Sequence, residues 1–307
     1  MRRHTSLPIA DDARGTAAAL GNFDGVHLGH QALLNIARDL DGPLGVVTFE
    51  PHPRRFFQPD TRDFRLMTAD TRARRLEMLG VEHLFEVAFD ADFASLSPEA
   101  FVQDILIARL GIAHVVVGQD FRFGKGRAGD VDALKRLGAE AGLAVTVADL
   151  VGDGGVEVSS TRIREALSDG RPRDAAQMLG HWHRIEGEVE HGEKRGRELG
   201  YPTANLSLDG LHLPRMGVYA VVVDVTDGPH QGRFGGVASL GVRPMFGENR
   251  PNFETFLFDF EGDLYGTRIS VALVEFLRDE AKFDGLDALI AQMDRDSARA
   301  RDILAQI

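Results

Sequence analysis

TAAALGNFDGVHLGHQALLNIARDL, Thr16 to Leu40, runs from an apolar stretch through a glycine turn into an amphipathic stretch. The first part reads as a strand. HQALLNIARDL places Leu33, Ile36, Ala37 and Leu40 on one helical face. The same unit recurs downstream. GPLGVVTFEPHP reads as a second strand, stopped by Pro51 and Pro53. TADTRARRLEMLG reads as a capped helix ending at Gly80, and VEHLFEVAF as a third strand. SPEAFVQDILIARLG, with Ser-Pro before it and Gly after it, predicts another helix. AHVVVGQ, VDALKRLGAEAG and LAVTVADLV continue as strand, helix, strand. Such alternation predicts an α/β, doubly wound parallel sheet with ligands beyond the carboxyl ends of its strands.

After STRIREALSDG and a short helix, PRDAAQMLG, the pattern changes. From about His183, the segments RIEGEVEHG, GVYAVVVDVTD, FGGVASLGV, NFETFLFDF and RISVALVEFL read as strands joined by glycine-rich turns. Strands without intervening helices predict an antiparallel β-barrel or sandwich. FDGLDALIAQMDRDSARARDILAQI closes the chain as one long helix. The expected domains are therefore 1–182 and 183–307, and 307 residues are comfortable for two.

Composition excludes several function classes. The net charge is −12, and a split near residue 183 leaves both parts acidic. Neither part has the basic balance of a domain that binds a nucleic-acid backbone. The absence of cysteine excludes disulfides, thiolate catalysis and zinc sites that use sulfur. Lys125, Lys135, Lys194 and Lys282 are the only lysines among 35 basic residues. None lies in G-x-x-x-x-G-K-[ST], so a Walker-type loop is ruled out. MRRHTSLPIADDARG has no apolar run of a secretory signal, and no stretch reaches the roughly 18 apolar residues of a membrane span. A cytoplasmic protein with no membrane partner is expected, its oligomeric state left open. The mixed-sign runs RDE and DRDSARARD read as solvated helix faces.

The chemistry gathers in a few strings. His27 and His30 are three apart at the start of the first helix, which puts both imidazoles on one side. Gly29 between them leaves room for a ligand near the backbone, and the helix N-terminus suits phosphate. Two histidines there can stabilise a phosphate whose charge grows during attack at phosphorus. A metal chelate and a plain capped turn are the competing readings. In SSTRIREAL, Ser160 and Thr161 can bond phosphate oxygens while Arg162 or Arg164 supplies charge; a simple N-cap reads equally well. GKGRAG fits G-x-G-x-x-G, but QDFRF separates it from the strand end at Gly118, which argues against a dinucleotide fingerprint. His52 in TFEPHP reads as a phosphate contact or as a structural loop residue. In GEVEHGEKRGRELGYPTANL, glycines with Arg195 and Arg197 form a basic loop able to cover a nucleotide. Thr203 and Asn205 follow Pro202. Spaced by two on an extended segment, they point the same way and can share one Mg²⁺.

GNFDGVHLGH contains HLGH, which resembles the H-x-G-H signature of the nucleotidyltransferase superfamily. Followed in order by TFEPHP, GQDFRFGKGRAGD and SSTRIR, and later by PTAN, it resembles the bifunctional bacterial riboflavin kinase/FAD synthetases. The resemblance runs from about Gly21 to the C-terminus. It implies a Rossmann-like nucleotidyltransferase domain followed by a β-barrel riboflavin kinase domain. The implied reactions are phosphorylation of riboflavin to FMN by ATP, then adenylylation of FMN to FAD with release of pyrophosphate.

For adenylyl transfer the resemblance implies His27 and His30 as catalytic residues, with ATP at Gly21, Phe23, Asp24 and Gly29. It adds Ser160, Thr161, Arg162 and Arg164 as a second ATP motif. Flavin contacts fall on Asp120 and Phe121, then Phe123 and Arg127. For the kinase it implies ATP at Gly192, Gly196, Arg197 and Gly200, and metal–ATP at Thr203 and Asn205. Glu254 in NFETFLFDFEGDLYG is the implied carboxylate for the riboflavin hydroxyl. Ser239 and Met245 stand where the family more often has Asn and Thr. They motivate an alternative: a flavin-binding regulator, or a single-activity FAD synthetase with an impaired kinase half.

Overall fold

The computed structural model describes residues 1–6, 9, 13–149, 152–153, 156–191, 201–245 and 248–307, with the backbone alone described at 152–153, 156–157, 243–245 and 248–250. The apolar runs of the first half become β2 (Ala17–Leu20), β3 (Leu44–Glu50), β4 (His83–Ala88), β5 (His114–Gly118) and β6 (Ala144–Ala148). With β1 (Arg2–His4) they form a parallel sheet in the order β1-β4-β3-β2-β5-β6. All of β2 is buried, as expected for a strand covered on both faces. Successive strands leave β2 in one direction as far as β4, and β5 then returns to its other side. In sheets of this kind ligands bind at such a reversal, beyond the carboxyl end of β2, where Gly21 begins the histidine turn.

Helix α1 (Leu28–Arg38) buries Leu33, Leu34 and Ala37, while Ile36 and Leu40 are half-buried. Its core face is thus rotated slightly from the expected one. After α2 (Pro53–Phe57), α3 (Ala69–Met78) starts at Thr68, whose hydroxyl accepts from Thr71 N. Beyond α4 (Ala91–Ala94) the predicted α-helix of SPEAFVQDILIARLG needs correction. Only its first turn, α5 (Pro98–Ala100), is α-helical; Phe101–Arg109 is a π-helix. Phe101, Val102, Ile105 and Leu106 face the core from this segment. Helix α6 (Val131–Ala141) runs from an Asp130 cap to left-handed Gly142. A short hairpin, β7 (Gly152–Asp153) and β8 (Val156–Glu157), follows β6.

By internal contacts the chain divides between Ser159 and Ser160, with Asp63–Met67 grouping with the later residues. Helices α7 (Ser160–Ser168) and α8 (Pro172–Leu179) therefore belong to the second compact unit. Their Ile163, Ala166, Leu167, Ala175 and Leu179 share a small core with Leu66. The expected boundary at residue 183 coincides instead with the start of the second sheet.

That sheet is antiparallel: β9 (Arg184–Glu188), β10 (Thr203–Leu206), β11 (Gly217–Val225), β12 (Gly232–Met245), β13 (Glu248–Leu257) and β14 (Arg268–Arg278) lie in the order β10-β13-β12-β11-β14-β9. Just beyond β9, Glu190 N donates to Asn205 O at 2.9 Å, so the two edges meet and the sheet curls into a barrel. Alternation divides β11 between two cores. Tyr219, Val221, Val223 and Val225 join one, and Val218 and Ala220 join another with Leu277 and Ala300 of the closing helix α9 (Leu286–Leu304).

One expectation about α9 fails. DRDSARARD is not wholly solvated: Asp296 is 5% exposed, and its carboxylate accepts from Arg278 Nε at 2.9 Å and Gln292 Nε2 at 2.9 Å. A buried carboxylate needs such partners, and a mixed-sign run can hide one.

His183, at the start of the barrel, is buried, and its Leu273 neighbour donates a backbone N–H to its carbonyl at 3.0 Å. Burial, with His212 and His181 nearby, pushes its imidazole down from 6.5 to about 3. The unfolded chain therefore takes up a proton near pH 6.5 that the folded chain refuses. Stability present above that pH is lost below it, by up to about 1.4 kcal/mol per pH unit. His183→Gln is expected to flatten the fall in melting temperature between pH 6.5 and about 4. A fall as steep as in the wild type would absolve this ring.

Candidate active sites

In the first unit, the turn after β2 brings three aromatic rings together. Phe23 and Val26 take left-handed φ values of 53° and 43°, and both are buried. Such conformations persist in a non-glycine residue only when the surroundings hold them. His27 is the N-cap of α1 rather than part of its first turn, and His30 N donates to its Nδ1 at 3.3 Å. The imidazoles stack with centroids 3.7 Å apart, and Phe23 lies 4.7 Å from His30. A Cβ at Gly29 would stand 3.2 Å from the His27 ring. Glycine there lets the His27 ring approach closely, and a larger residue would press on that ring. Asp24 is buried beside this turn.

Burial, then His27, then Arg72, hold the His30 imidazole well below 6.5, so the ring is neutral at pH 7. Its Nδ1 is buried without a hydrogen-bond partner among the described residues, and a buried polar atom of that kind calls for one. Among the described residues, no group of three or more His, Asp or Glu is placed to hold a metal ion.

Beneath the turn lies an ion network centred on the buried Arg72–Glu86 pair. Arg72 of α3 donates to Glu86 Oε1 at 2.8 Å, to Glu50 Oε2 at 3.0 Å and, more weakly, to Asn22 O at 3.4 Å. Thr48 Oγ1 donates to the same Asn22 carbonyl at 3.1 Å. Arg3 of β1 completes Glu86 at 2.8 Å and reaches Asp70 at 2.7 Å. These contacts hold the backbone next to Phe23, and through it the ring stack. Sequence reasoning missed Arg72 and the whole of β1, whose RRH has no apolar period to read.

The flavin-loop candidates follow β5. Asp120 and Arg127 are exposed, and Phe121 stacks on Phe123 at 5.7 Å. Phe123 is buried, hydrogen-bonds its backbone with Gly129 in both directions, and contacts Phe101 at 5.3 Å. It is an anchor of the loop. Ring contacts continue through Phe93 and Phe89 to Phe57, which is 64% exposed. The pair Phe56–Phe57 directly after PHPRR was the unread signal of this aromatic edge. His52 caps α2, accepting from Arg54 N at 3.1 Å, as the structural reading expected.

In the second unit, Ser160, Thr161 and Arg162 open α7, with Thr161 and Arg162 exposed. Arg164 donates through Nε to Phe64 O and lies over the Phe64 ring at 5.6 Å. Gly192, Gly196, Arg197 and Gly200 lie outside the described residues, as does the Met245 side chain.

A cavity of about 410 Å³ in this unit is lined by Thr203, Asn205, Ser239 and Glu254. Strand register brings them together. Glu254 of β13 lies directly across from Asn205 of β10 on one side and from Ser239 of β12 on the other. Directly opposite side chains share a face within about 4.5–5.5 Å at Cβ. Asn252 Nδ2 donates to Glu254 Oε1 at 2.9 Å. Arg278, Asp296 and Tyr201 also line the cavity. Tyr201 donates to Asp294 of α9, and burial with that hydrogen bond pushes its phenol up to about 12. Sequence reasoning missed Asn252, Tyr201, Arg278 and Asp296, because their value comes from pairing across distant segments.

Comparison with known proteins covers both halves. Residues 9–162 match the family model for FAD synthetase, and residues 179–304 match that for riboflavin kinase. A bifunctional riboflavin kinase/FMN adenylyltransferase of Pseudomonas fluorescens is 43% identical over 97% of this chain and 96% of its own length. One from Escherichia coli K12 is 40% identical, covering 94% of this chain and 92% of its own. A crystal structure described as a macrolide-efflux protein of Streptococcus pneumoniae is similar at 34% identity and a TM-score of 0.82, over 94% of each chain.

The ion network beneath the histidine turn carries a measurable cost of its own. Arg72→Met leaves the buried Glu86 with Arg3 as its one cationic partner among the described residues and is expected to destabilise the chain by about 3 kcal/mol. A urea midpoint that does not move would show the network to be energetically idle.

Proposed function

The chain belongs to the bifunctional riboflavin kinase/FMN adenylyltransferase family, and from that premise we propose how its residues divide the two reactions. It phosphorylates riboflavin with ATP to give FMN, then adenylylates FMN with a second ATP to give FAD and pyrophosphate. The alternatives of a regulator or a single-activity enzyme are not favoured, since both family models match. Among the described residues no helix is long and apolar enough to cross a membrane.

We assign adenylyl transfer to residues 1–182 and riboflavin phosphorylation to 183–307, in keeping with family matches ending at 162 and starting at 179. In the first reaction an FMN phosphate oxygen attacks the α-phosphorus of ATP, and the bond to the β,γ-pyrophosphate breaks. His27 and His30 stabilise the charge that grows on the α-phosphate, His30 as a neutral N–H donor. Gly21, Phe23, Asp24 and Gly29 shape the ATP side of the turn, with Phe23 acting through its stack on His30. Ser160, Thr161, Arg162 and Arg164 serve the triphosphate, supplying charge by arginine in a chain poor in lysine. Asp120 and Phe121 contact flavin, while Phe123 anchors their loop and Arg127 offers an exposed charge.

In the kinase reaction Glu254 orients the riboflavin hydroxyl and takes its proton as the γ-phosphoryl group transfers. The register that lines up Asn205, Glu254 and Ser239 in one cavity with Thr203 is the observation that carries this reading. Thr203 and Asn205, both half-exposed on one face of β10, are hard oxygen donors beside a carboxylate and fit Mg²⁺. Mg²⁺ bound with ATP would neutralise phosphate charge. Gly192, Gly196, Arg197 and Gly200 cover the nucleotide in this reading. We place both reactions in the cytoplasm, on small-molecule substrates and without a nucleic-acid partner, in keeping with the net charge of −12. Self-association of the chain is compatible with this scheme.

His30→Ala is expected to abolish FAD formation and spare FMN formation, and Glu254→Ala to do the reverse. Incubation with riboflavin, ATP and Mg²⁺ followed by chromatography of the flavins reads both outcomes. Loss of both activities in either folded variant would break the two-site assignment.

A further inference from the structure

The kinase carboxylate has a neighbour that the division of labour above leaves unused. Asn252 and Glu254 are two apart on β13 and share its cavity-facing side, while Phe253 between them is buried in the barrel core. An ionised carboxylate can only accept, so it is the NH₂ end of the Asn252 amide that meets Glu254 Oε1 at 2.9 Å. A glutamate side chain has three rotatable bonds, and a hydrogen bond at its tip limits the conformations it samples.

The charges around this pair explain why a neutral donor suits the position. Directly across from Asn252 is Gly241, and the Glu280 carboxylate fills the space a Cβ there would occupy, with Oε1 only 2.1 Å from it. Asn252 therefore stands with one carboxylate hydrogen-bonded on its own strand and another over its cross-strand partner. Among the described residues, Asp263, Glu280, Asp296 and Arg278 are the other charged groups lining the cavity. Arg278 is engaged by Asp296 through both Nε and Nη2. Across from Glu254, Ser239 offers only a short hydroxyl.

We propose that Asn252 is a positioning residue of the kinase site, its side-chain amide fixing the Glu254 carboxylate for the substrate hydroxyl. The inference rests on the role given above to Glu254. It makes Asn252 matter to turnover more than to substrate binding, since the amide acts through the base.

The full-length chain tests this by steady-state phosphorylation of riboflavin with ATP and Mg²⁺, with adenylylation of supplied FMN as a control on the fold. Asn252→Ala is expected to lower the kinase kcat about tenfold, with KM for riboflavin and ATP within about twofold of wild type. Asn252→Asp should fall further, because it places a third carboxylate in the row. Adding Ser239→Asn to Asn252→Ala supplies an amide directly across from Glu254 and should recover most of the lost kcat. An unchanged kcat in Asn252→Ala, alongside an inactive Glu254→Gln, overturns the inference and leaves the role of Glu254 standing. Kinase turnover surviving in Glu254→Gln instead removes the reading on which the inference rests. A loss in Asn252→Ala that Ser239→Asn cannot relieve, or that lowers adenylylation equally, also counts against it.

Discussion

Side chains on a β-strand alternate between two faces, and in Glu248–Leu257 that constraint does two jobs at once. Phe253, Thr255 and Leu257 are buried, and Phe253 and Leu257 belong to the barrel core. Asn252, Glu254 and Phe256 take the opposite side, where Glu254 and Phe256 line the cavity. A slip of one residue would bury Glu254 and expose Phe253 together. The core thus holds the catalytic geometry, because the same register that packs the barrel sets Asn205, Glu254 and Ser239 in a row.

The first unit uses a different device. Its histidines sit at the N-cap and in the first turn of α1, and the turn leading to them contains two buried non-glycine residues in left-handed conformations. Order there comes from buried charge: Arg72, held by Glu50 and Glu86, and Thr48 both bond the Asn22 carbonyl. The guanidinium also helps to keep His30 neutral. Buried ion pairs contribute little net stability compared with apolar packing, but losing one partner is costly, which makes them good at enforcing a single arrangement.

What the sequence discloses follows from the range of the interaction. Apolar runs and periods of two and near four showed the strands of the two large sheets apart from β1 and β10, and glycine and proline punctuation showed most of the helix ends. The glycine-flanked H-x-G-H and the Thr-x-Asn spacing marked positions that the turn after β2 and the cavity then place. Phe101–Arg109 kept its helical pattern but not its winding, because apolar spacing does not distinguish i→i+4 from i→i+5 bonding over nine residues. Asp296 was read as solvated because its partner, Arg278, lies on a different element. Asn252 was invisible for a related reason: an Asn on a strand acquires meaning only from the carboxylate beside it.

The grouping of Asp63–Met67 and of helices α7 and α8 with the barrel makes the second unit discontinuous along the chain. Gene fragments drawn at the change of sequence pattern, near residue 183, would not follow the seams of packing. A fragment beginning at the first barrel strand leaves behind Leu66, Ile163, Ala166, Leu167, Ala175 and Leu179, a whole satellite core. It also abandons Arg173, the ion-pair partner of Glu275 on β14. The barrel's compact unit thus draws part of its packing from residues that precede the first barrel strand.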